Sequence, residues 1–141
     1  MWEMVEDKLT ERIIACIIEV HRWLGPGFRE RVYQRALLIE LSKRGLAAES
    51  EKRVVIHYDG QEVGGHRIDL IVENSVVLEV KTVDLIIKAH YAQVRSYLKA
   101  SGLQTGLLVN FGGSRADYRR IEAAPDLRYP TTPAERPPPS P

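Results

Sequence analysis

The sequence predicts a single α/β domain in which a mixed β-sheet packs against helices. Apolar residues recur at helical spacing in the first third of the chain and again over residues 85–100, whereas residues 53–82 alternate as strands do. The later helical segment connects one predicted strand to a second strand, Thr105–Phe111, which is predicted to be buried because it is apolar. Such a connection is typical of parallel pairing within a mixed sheet.

Composition supports a globular protein of one domain. The chain has 141 residues, of which 44% are hydrophobic and 28% charged. Its 20 Lys and Arg nearly balance its 19 Asp and Glu, so any contact with nucleic acid must come from a local patch. The charged start is not typical of a secretory signal, and no apolar run approaches the ~20 residues that span a bilayer. We therefore expect a cytoplasmic protein with no membrane partner.

The end of the chain differs from the rest. Seven of the eight prolines lie from Pro125 onward, and this segment holds too few apolar residues to offset the entropy of ordering. We predict a folded domain over residues 1–124 and a proline-rich disordered tail over residues 125–141. The single cysteine, Cys16, lies in an apolar run, so we expect it in the core and predict no disulfide or cysteine metal site.

Two helices are predicted before the strands. The first runs from Thr10, as N-cap, to Leu24, ends at Gly25-Pro26, and has an apolar side formed by Ile13, Ile17, Val20 and Leu24. The second runs from Glu30 to about Arg44 with Gly45 after it, and its apolar side is predicted to consist of Val32, Ala36, Ile39 and Leu41.

Strands are predicted in the middle and at the end of the domain. An Asp59-Gly60 turn signal indicates a hairpin. The predicted strands are Arg53–Tyr58, His66–Val72, Val76–Thr82 and Thr105–Phe111, and the segment from Ala116 to Ile121 is either a last short strand or a helix.

The strand pattern brings charged residues together. In Val76–Lys81, alternation places Glu79 and Lys81 on one face with Val77. In the preceding strand it places Ile68, Leu70 and Val72 on one face, and Asp69 with Ile71 on the other. A turn centred on Asn74 then sets Asp69 opposite Glu79, with Cβ atoms roughly 5 Å apart.

Two facing carboxylates repel each other, and a divalent cation bound by both would compensate. Mg²⁺ fits this donor set, because it takes oxygen ligands and is commonly held by one or two carboxylates plus substrate phosphates. The main-chain carbonyl of Val80 is a further candidate ligand, and Lys81 would orient the attacking water or the phosphate. The alternative is an exposed sheet face with a weak surface ion pair.

Residues outside these strands are further candidates for the site around Asp69, Glu79 and Lys81. Gln93 and Tyr97 lie four residues apart on the predicted third helix and so share a face, although an ordinary boundary pair would look the same. Glu30 opens the second helix after Gly25-Pro26-Gly27, a position that the helix dipole alone also favours for a carboxylate.

Taken together, these motifs resemble the GxxExxY proteins, a branch of the PD-(D/E)xK nuclease superfamily. The resemblance spans roughly Leu9 to Glu122. Its naming motif is Gly27, Glu30 and Tyr33, and its nuclease motif is Asp69, Glu79 and Lys81. It implies a restriction-endonuclease-like core, with a mixed sheet of four or slightly more strands flanked by helices.

The resemblance also implies roles for the motif residues. Asp69 and Glu79 would be metal ligands, Lys81 would be catalytic, and Glu30 would reach the metal directly or through water. Gln93, Tyr97 and Tyr33 would position the substrate. The expected cofactor is Mg²⁺, with Mn²⁺ as a substitute, and the expected partner is nucleic acid, taken here to be DNA.

Three functions are compatible with this sequence. The first is a Mg²⁺-dependent nuclease that hydrolyses phosphodiester bonds in DNA. The second is a nucleic-acid-binding or regulatory module that keeps the nuclease core without turnover, and the third is a structural partner protein. The sequence is also compatible with a homodimer. The basic residues available for a phosphate patch are Arg95, Lys99, Arg115, Arg119 and Arg120, whereas His66 is treated as a surface histidine at a strand end.

Overall fold

A computed structural model describes the backbone of residues 2–123 and the side chains of residues 8–123. The predicted proline-rich tail lies outside the described residues. The elements, in chain order, are α1 (Trp2–Leu24), α2 (Glu30–Lys43), β1 (Ala48–Tyr58), β2 (Gln61–Val72), β3 (Val76–Lys81), α3 (Lys88–Ser101), β4 (Thr105–Asn110) and β5 (Asp117–Glu122).

The strands form one mixed sheet in the order β1-β2-β3-β4-β5. Only β3 and β4 pair in parallel, and α3 connects them, as the sequence predicted. The sheet has five strands, within the predicted range, because the segment for which strand or helix was left open pairs with β4 as β5. None of the described helices has the length and apolar character needed to cross a membrane.

Helices cover both faces of the sheet. On one face α1 and α2 enclose a buried cluster that includes Ile17, Leu37 and Leu78. On the other face α3 covers a second cluster that includes Val77, Val94 and Leu108. Strands β3 and β4 lie at the centre and are buried on both sides, which explains their nearly continuous apolar sequences. A charged side chain on β3 is therefore placed against apolar neighbours.

All three helices differ from the prediction, and α3 begins at Lys88, so residues 85–87 of the predicted helix lie in the preceding loop. Helix α1 begins before Thr10, which is 3% exposed and lies inside the helix, so its predicted role as N-cap is wrong. Strong helix formers precede it and extend the helix towards the N-terminus. In α2 the buried side contains Tyr33, Leu37 and Leu41, whereas Val32 and Ile39 are exposed. Apolar residues occur all round this helix, and packing against α1 selects one set of them.

Two tight turns set the register of the antiparallel strands. Asp59 and Gly60 both have positive φ and join β1 to β2, as their sequence predicted. Glu73 and Asn74 also both have positive φ, and they join β2 to β3. The resulting pairs run from Val72↔Val76 to Leu70↔Leu78, the register predicted from a turn at Asn74.

The sheet is irregular at Asp69. Pairing of β2 with β3 stops at Leu70. Strand β1 pairs with β2 before and after Glu51, but Glu51 itself is unpaired in the register. Glu51 also has positive φ (55°). At this point the alternation of side chains between the two faces of β2 shifts by one residue. Ile68 packs with Ile71 in the cluster under α3, so the prediction that it shares a face with Leu70 and Val72 is wrong. This local departure leaves Asp69 outside the ladder.

Close packing of α3 on β4 predicts a specific cost for enlarging Gly106. A Cβ atom built there would lie 2.7 Å from Val94 Cγ1. We expect Gly106→Ala to lower the free energy of unfolding by about 1–3 kcal/mol, because a buried valine must move in a packed core. Urea denaturation followed by circular dichroism would measure the change.

Gly113→Ala is the matched control. Its added Cβ would meet nothing closer than a backbone oxygen at 3.6 Å, and Gly113 does not have positive φ. We expect a change within about 0.5 kcal/mol, as for surface substitutions. Equal losses in the two variants would contradict the packing argument.

Candidate metal centre

The side chains of Asp69 and Glu79 meet at the point where the β2–β3 ladder ends. Asp69 Oδ2 accepts a hydrogen bond of 2.8 Å from the backbone nitrogen of Val80, taking a place that a strand carbonyl would otherwise fill. The Glu79 carboxyl donates a hydrogen bond to Asp69 and is only 3% exposed. Lys81 Nζ lies 3.7 Å from Glu79 Oε2. The structure thus brings together the three residues of the predicted nuclease motif.

Glu79 holds its proton more tightly than an ordinary glutamate. Burial between the sheet and α3 is the largest cause, followed by the hydrogen bond to Asp69 and the negative charge of that neighbour. The positive charge of Lys81 opposes them. Together they raise the pKa of Glu79 to about 9. At neutral pH the pair therefore shares a proton at the position where two carboxylates could otherwise bind a cation.

Gln93 and Tyr97 extend the site along α3. Gln93 Nε2 donates a hydrogen bond of 2.8 Å to the Tyr97 hydroxyl, so the predicted shared face of this pair is confirmed. The Tyr97 hydroxyl in turn bonds to the carboxyl of Glu79. Burial and the charge of Glu79 raise the pKa of Tyr97 to about 12, so the phenol stays protonated and donates to that carboxyl.

His66 lies closer to this site than the sequence suggested. Its ring centroid is 5.4 Å from that of Tyr97, on the side of the sheet that α3 covers. The imidazole is exposed, as expected for a strand-end histidine. Its position three residues before Asp69 was visible in the sequence, but contact with α3 depends on the change of phase in β2.

Tyr33 occupies a different part of the molecule. It is fully buried and stacks on Phe111 with ring centroids 4.4 Å apart. Its hydroxyl donates to the carbonyl of Gly25 and accepts from the nitrogen of Phe28. The side chain therefore holds the loop before α2 and does not reach solvent. A role in substrate positioning can operate only through that loop.

Glu30 is not brought into a cluster with the carboxyl pair. Within residues 8–123, no group of three or more His, Cys, Asp or Glu side chains is arranged to hold a metal ion. Glu30 is partly exposed at the first residue of α2, next to the loop that Tyr33 holds. Its predicted approach to the metal stays a prediction.

Asn110 is a residue that the sequence analysis missed. It is 5% exposed at the end of β4, beside Lys81 in the parallel register. Its side chain accepts from the nitrogens of Val83 and Gly112, both at 3.0 Å, and donates to the carbonyl of Val83 at 2.8 Å. These bonds fix the chain just after Lys81. The sequence signal that could have identified Asn110 is its place as a polar residue at the end of an otherwise apolar, buried strand.

Two of the basic residues considered for a phosphate patch are paired within β5. Arg119 binds the carboxylate of Asp117, with one contact at 2.8 Å, and also the hydroxyl of Tyr91. Arg120 binds Glu122 at 2.6 Å. These partners neutralise much of the positive charge of the strand.

Comparison with known proteins identifies the family. The sequence model of the PD-(D/E)XK nuclease superfamily matches residues 7–121. The chain belongs to this superfamily. Its members are generally nucleases that act on nucleic acid and typically use divalent metals. None of the curated proteins matches the sequence.

A solved structure agrees on the fold. The crystal structure of SSO0001 is similar, with a TM-score of 0.56 and 24% sequence identity over 68% of this chain. This chain spans about half the length of that one, because the similarity covers 50% of it. The five-stranded mixed sheet flanked by three helices confirms the predicted α/β, restriction-endonuclease-like class.

The donor set suits a divalent cation in this superfamily. Two carboxyl groups in direct contact need either a shared proton or a cation, and burial beside Asp69 raises the pKa of Glu79 when no metal is bound. Two carboxylates are sufficient for Mg²⁺, which completes its coordination with waters and substrate phosphates. Asp69 and Glu79 thus fit such an ion without a third acid.

The raised pKa of Glu79 predicts how stability depends on pH. Between about pH 4.5 and pH 9 the folded protein carries this proton and the unfolded chain does not. The free energy of unfolding should therefore fall as pH rises through this window. In Glu79→Gln that contribution disappears, and the metal-free variant should be more stable than the wild type at pH 8. Urea denaturation at a series of pH values with a chelator present would test this.

Glu49→Gln is the control for this series. Glu49 lies on the surface, 3.5 Å from Lys52, and such exposed pairs contribute little. The variant should keep the wild-type pH dependence. A wild-type slope that persisted in Glu79→Gln would contradict the assignment of the proton.

Proposed function

We propose that this protein is a Mg²⁺-dependent nuclease that hydrolyses phosphodiester bonds in DNA. The observation that carries the proposal is the contact between the Asp69 and Glu79 carboxyl groups, with Lys81 Nζ 3.7 Å from Glu79. The site lies on the α3 side of the sheet at the end of the β2–β3 ladder. Mn²⁺ is expected to substitute for Mg²⁺.

Each residue near the site has a distinct task in this proposal. Asp69 and Glu79 would hold the ion, with the Val80 carbonyl as a further ligand. A bound divalent cation would lower the pKa of a water ligand and offset charge developing on the phosphate. Lys81 would orient the attacking water or the phosphate through its ammonium group.

The remaining motif residues act at a greater distance. The Gln93–Tyr97 pair would orient the nucleic acid strand and keep a hydrogen bond on Glu79. Glu30 would reach the ion directly or through water from the start of α2. Together with Gly27 and Tyr33 it supports placing the chain in the GxxExxY branch, and we expect the protein to act in the cytoplasm.

The burial of Glu79 beside Asp69 also favours a second candidate function, a nucleic-acid-binding module without turnover. The metal-free pair holds a proton at neutral pH, because the pKa of Glu79 is raised to about 9, so an ion must displace it. If the cellular ion concentration does not achieve this, the domain would bind nucleic acid without cutting it. Binding without cleavage under any ion would distinguish this function.

Substitution at the site should abolish cleavage. We expect Lys81→Ala and Asp69→Ala to reduce the rate of DNA hydrolysis at least about 10²-fold, as loss of a group that serves the attacking water does. Purified protein would be incubated with plasmid, linear duplex and single-stranded DNA in Mg²⁺ or Mn²⁺. Lys43→Ala is the matched control, since Lys43 is an exposed lysine on α2 paired with Glu40. Activity that survived both site substitutions would reject the proposal.

Ion binding should release a proton. At pH 7 the folded protein carries the proton of Glu79, and a carboxylate ligand must be ionised, so we expect about one proton per Mn²⁺ bound. Calorimetric titration in two buffers of different ionisation enthalpy would count it. Asp69→Asn should bind no ion, and binding with no proton release would contradict the proposed ligand role of Glu79.

A further inference from the structure

The loop between β3 and α3, residues 82–87, exposes apolar side chains immediately after Lys81. Leu85 is 73% exposed and Ile87 is 50% exposed. Isolated apolar residues on a surface are common and carry no meaning by themselves. Leu85 and Ile87 differ from isolated residues because both lie in one short loop after the proposed catalytic strand, and contacts with the rest of the domain restrain that loop.

The loop is held at three points, by contacts of Val83, Ile86 and the backbone nitrogen of Ile87. Asn110 bonds to both the nitrogen and the carbonyl of Val83. Ile86 packs against the buried cluster under α3. The nitrogen of Ile87 donates to His90 Nδ1 at 3.0 Å at the start of the helix. With Ile86 directed into the core, its neighbours Leu85 and Ile87 are left outside.

Packing at Gly112 restrains the loop further. A Cβ atom there would lie 2.6 Å from the carbonyl oxygen of Val83 and 2.9 Å from its nitrogen. The backbone after β4 and the backbone after β3 thus touch, which requires glycine at this place. The loop that directly follows Lys81 in the sequence therefore presents an exposed apolar pair on a restrained backbone.

We propose that Leu85 and Ile87 contact the faces of unpaired bases next to the phosphate that is cut, so that the preferred substrate is single-stranded or locally opened DNA. This inference rests on the proposed nuclease function. Aliphatic side chains are suited to base faces and are used by proteins as wedges between unstacked bases. In an intact duplex those faces are covered by neighbouring bases. The contact would not depend on base identity, since every base presents an apolar face.

Binding would be measured with full-length Lys81→Ala, which leaves the DNA intact. Leu85→Ala and Ile87→Ala, singly and together, would be added to this background. Ile39→Ala is the matched control, because Ile39 is a 64% exposed isoleucine on α2, in the opposite layer from α3. Single strands and duplexes that carry 2-aminopurine at successive positions report both affinity and base unstacking. Thermal unfolding would verify that each variant is folded.

The expected result is a loss of affinity for single strands of about five- to tenfold in the double variant, as for removal of partly buried aliphatic groups. The parent protein should bind single strands more tightly than duplex and change the 2-aminopurine fluorescence near the cut. The double variant should lose both properties, and Ile39→Ala should retain them.

Three results would overturn the inference. Unchanged affinity in the double variant, with cleavage by the wild type intact, would reject it and leave the nuclease proposal standing. Sedimentation showing that the wild type self-associates through these residues, with DNA binding unchanged in the double variant, would assign the surface to a second copy. No binding by the parent and no cleavage by the wild type would reject the proposed function, and this inference with it.

Discussion

The contact between two carboxyl groups inside an otherwise apolar layer is the constraint on which the site depends. Two acids of like charge destabilise a sheet when they face each other, and burial under a helix makes ionisation harder still. The fold accommodates the pair by interrupting the ladder at Asp69, by giving its carboxylate the Val80 nitrogen, and by keeping a proton on Glu79. An arrangement that costs stability without serving the core is typical of a functional site.

Much of this arrangement could be predicted from sequence because it depends on short-range rules. A turn centred on Asn74 and the alternation of β3 were enough to predict that the side chains of Asp69 and Glu79 come together, and helical spacing was enough to pair Gln93 with Tyr97. The central strands were recognisable because burial on both faces makes them apolar throughout. These features need no knowledge of distant contacts.

The features that the sequence did not reveal depend on contacts between distant segments. The change of phase at Asp69 occurs beside Glu51, a residue with positive φ on the neighbouring strand, and alternation cannot show such a feature. The buried side of α2 is selected by α1 and the sheet among several apolar choices. Tyr33 stacks on Phe111, which lies near the other end of the domain in sequence. Its position in the motif therefore did not indicate that its hydroxyl binds the carbonyl of Gly25 in the loop before α2.

The position of α3 above Glu79 has a further consequence for how an ion would enter. Asp69, Glu79 and Lys81 all belong to the β2–β3 hairpin, whereas Tyr97 belongs to α3. An outward movement of α3 would admit water to Glu79 and would remove burial, the largest cause of its raised pKa. The carboxyl group would then ionise at the moment when the route to it opens. Access of an ion to Glu79 and the charge of its carboxyl group would therefore both depend on how α3 packs on the sheet.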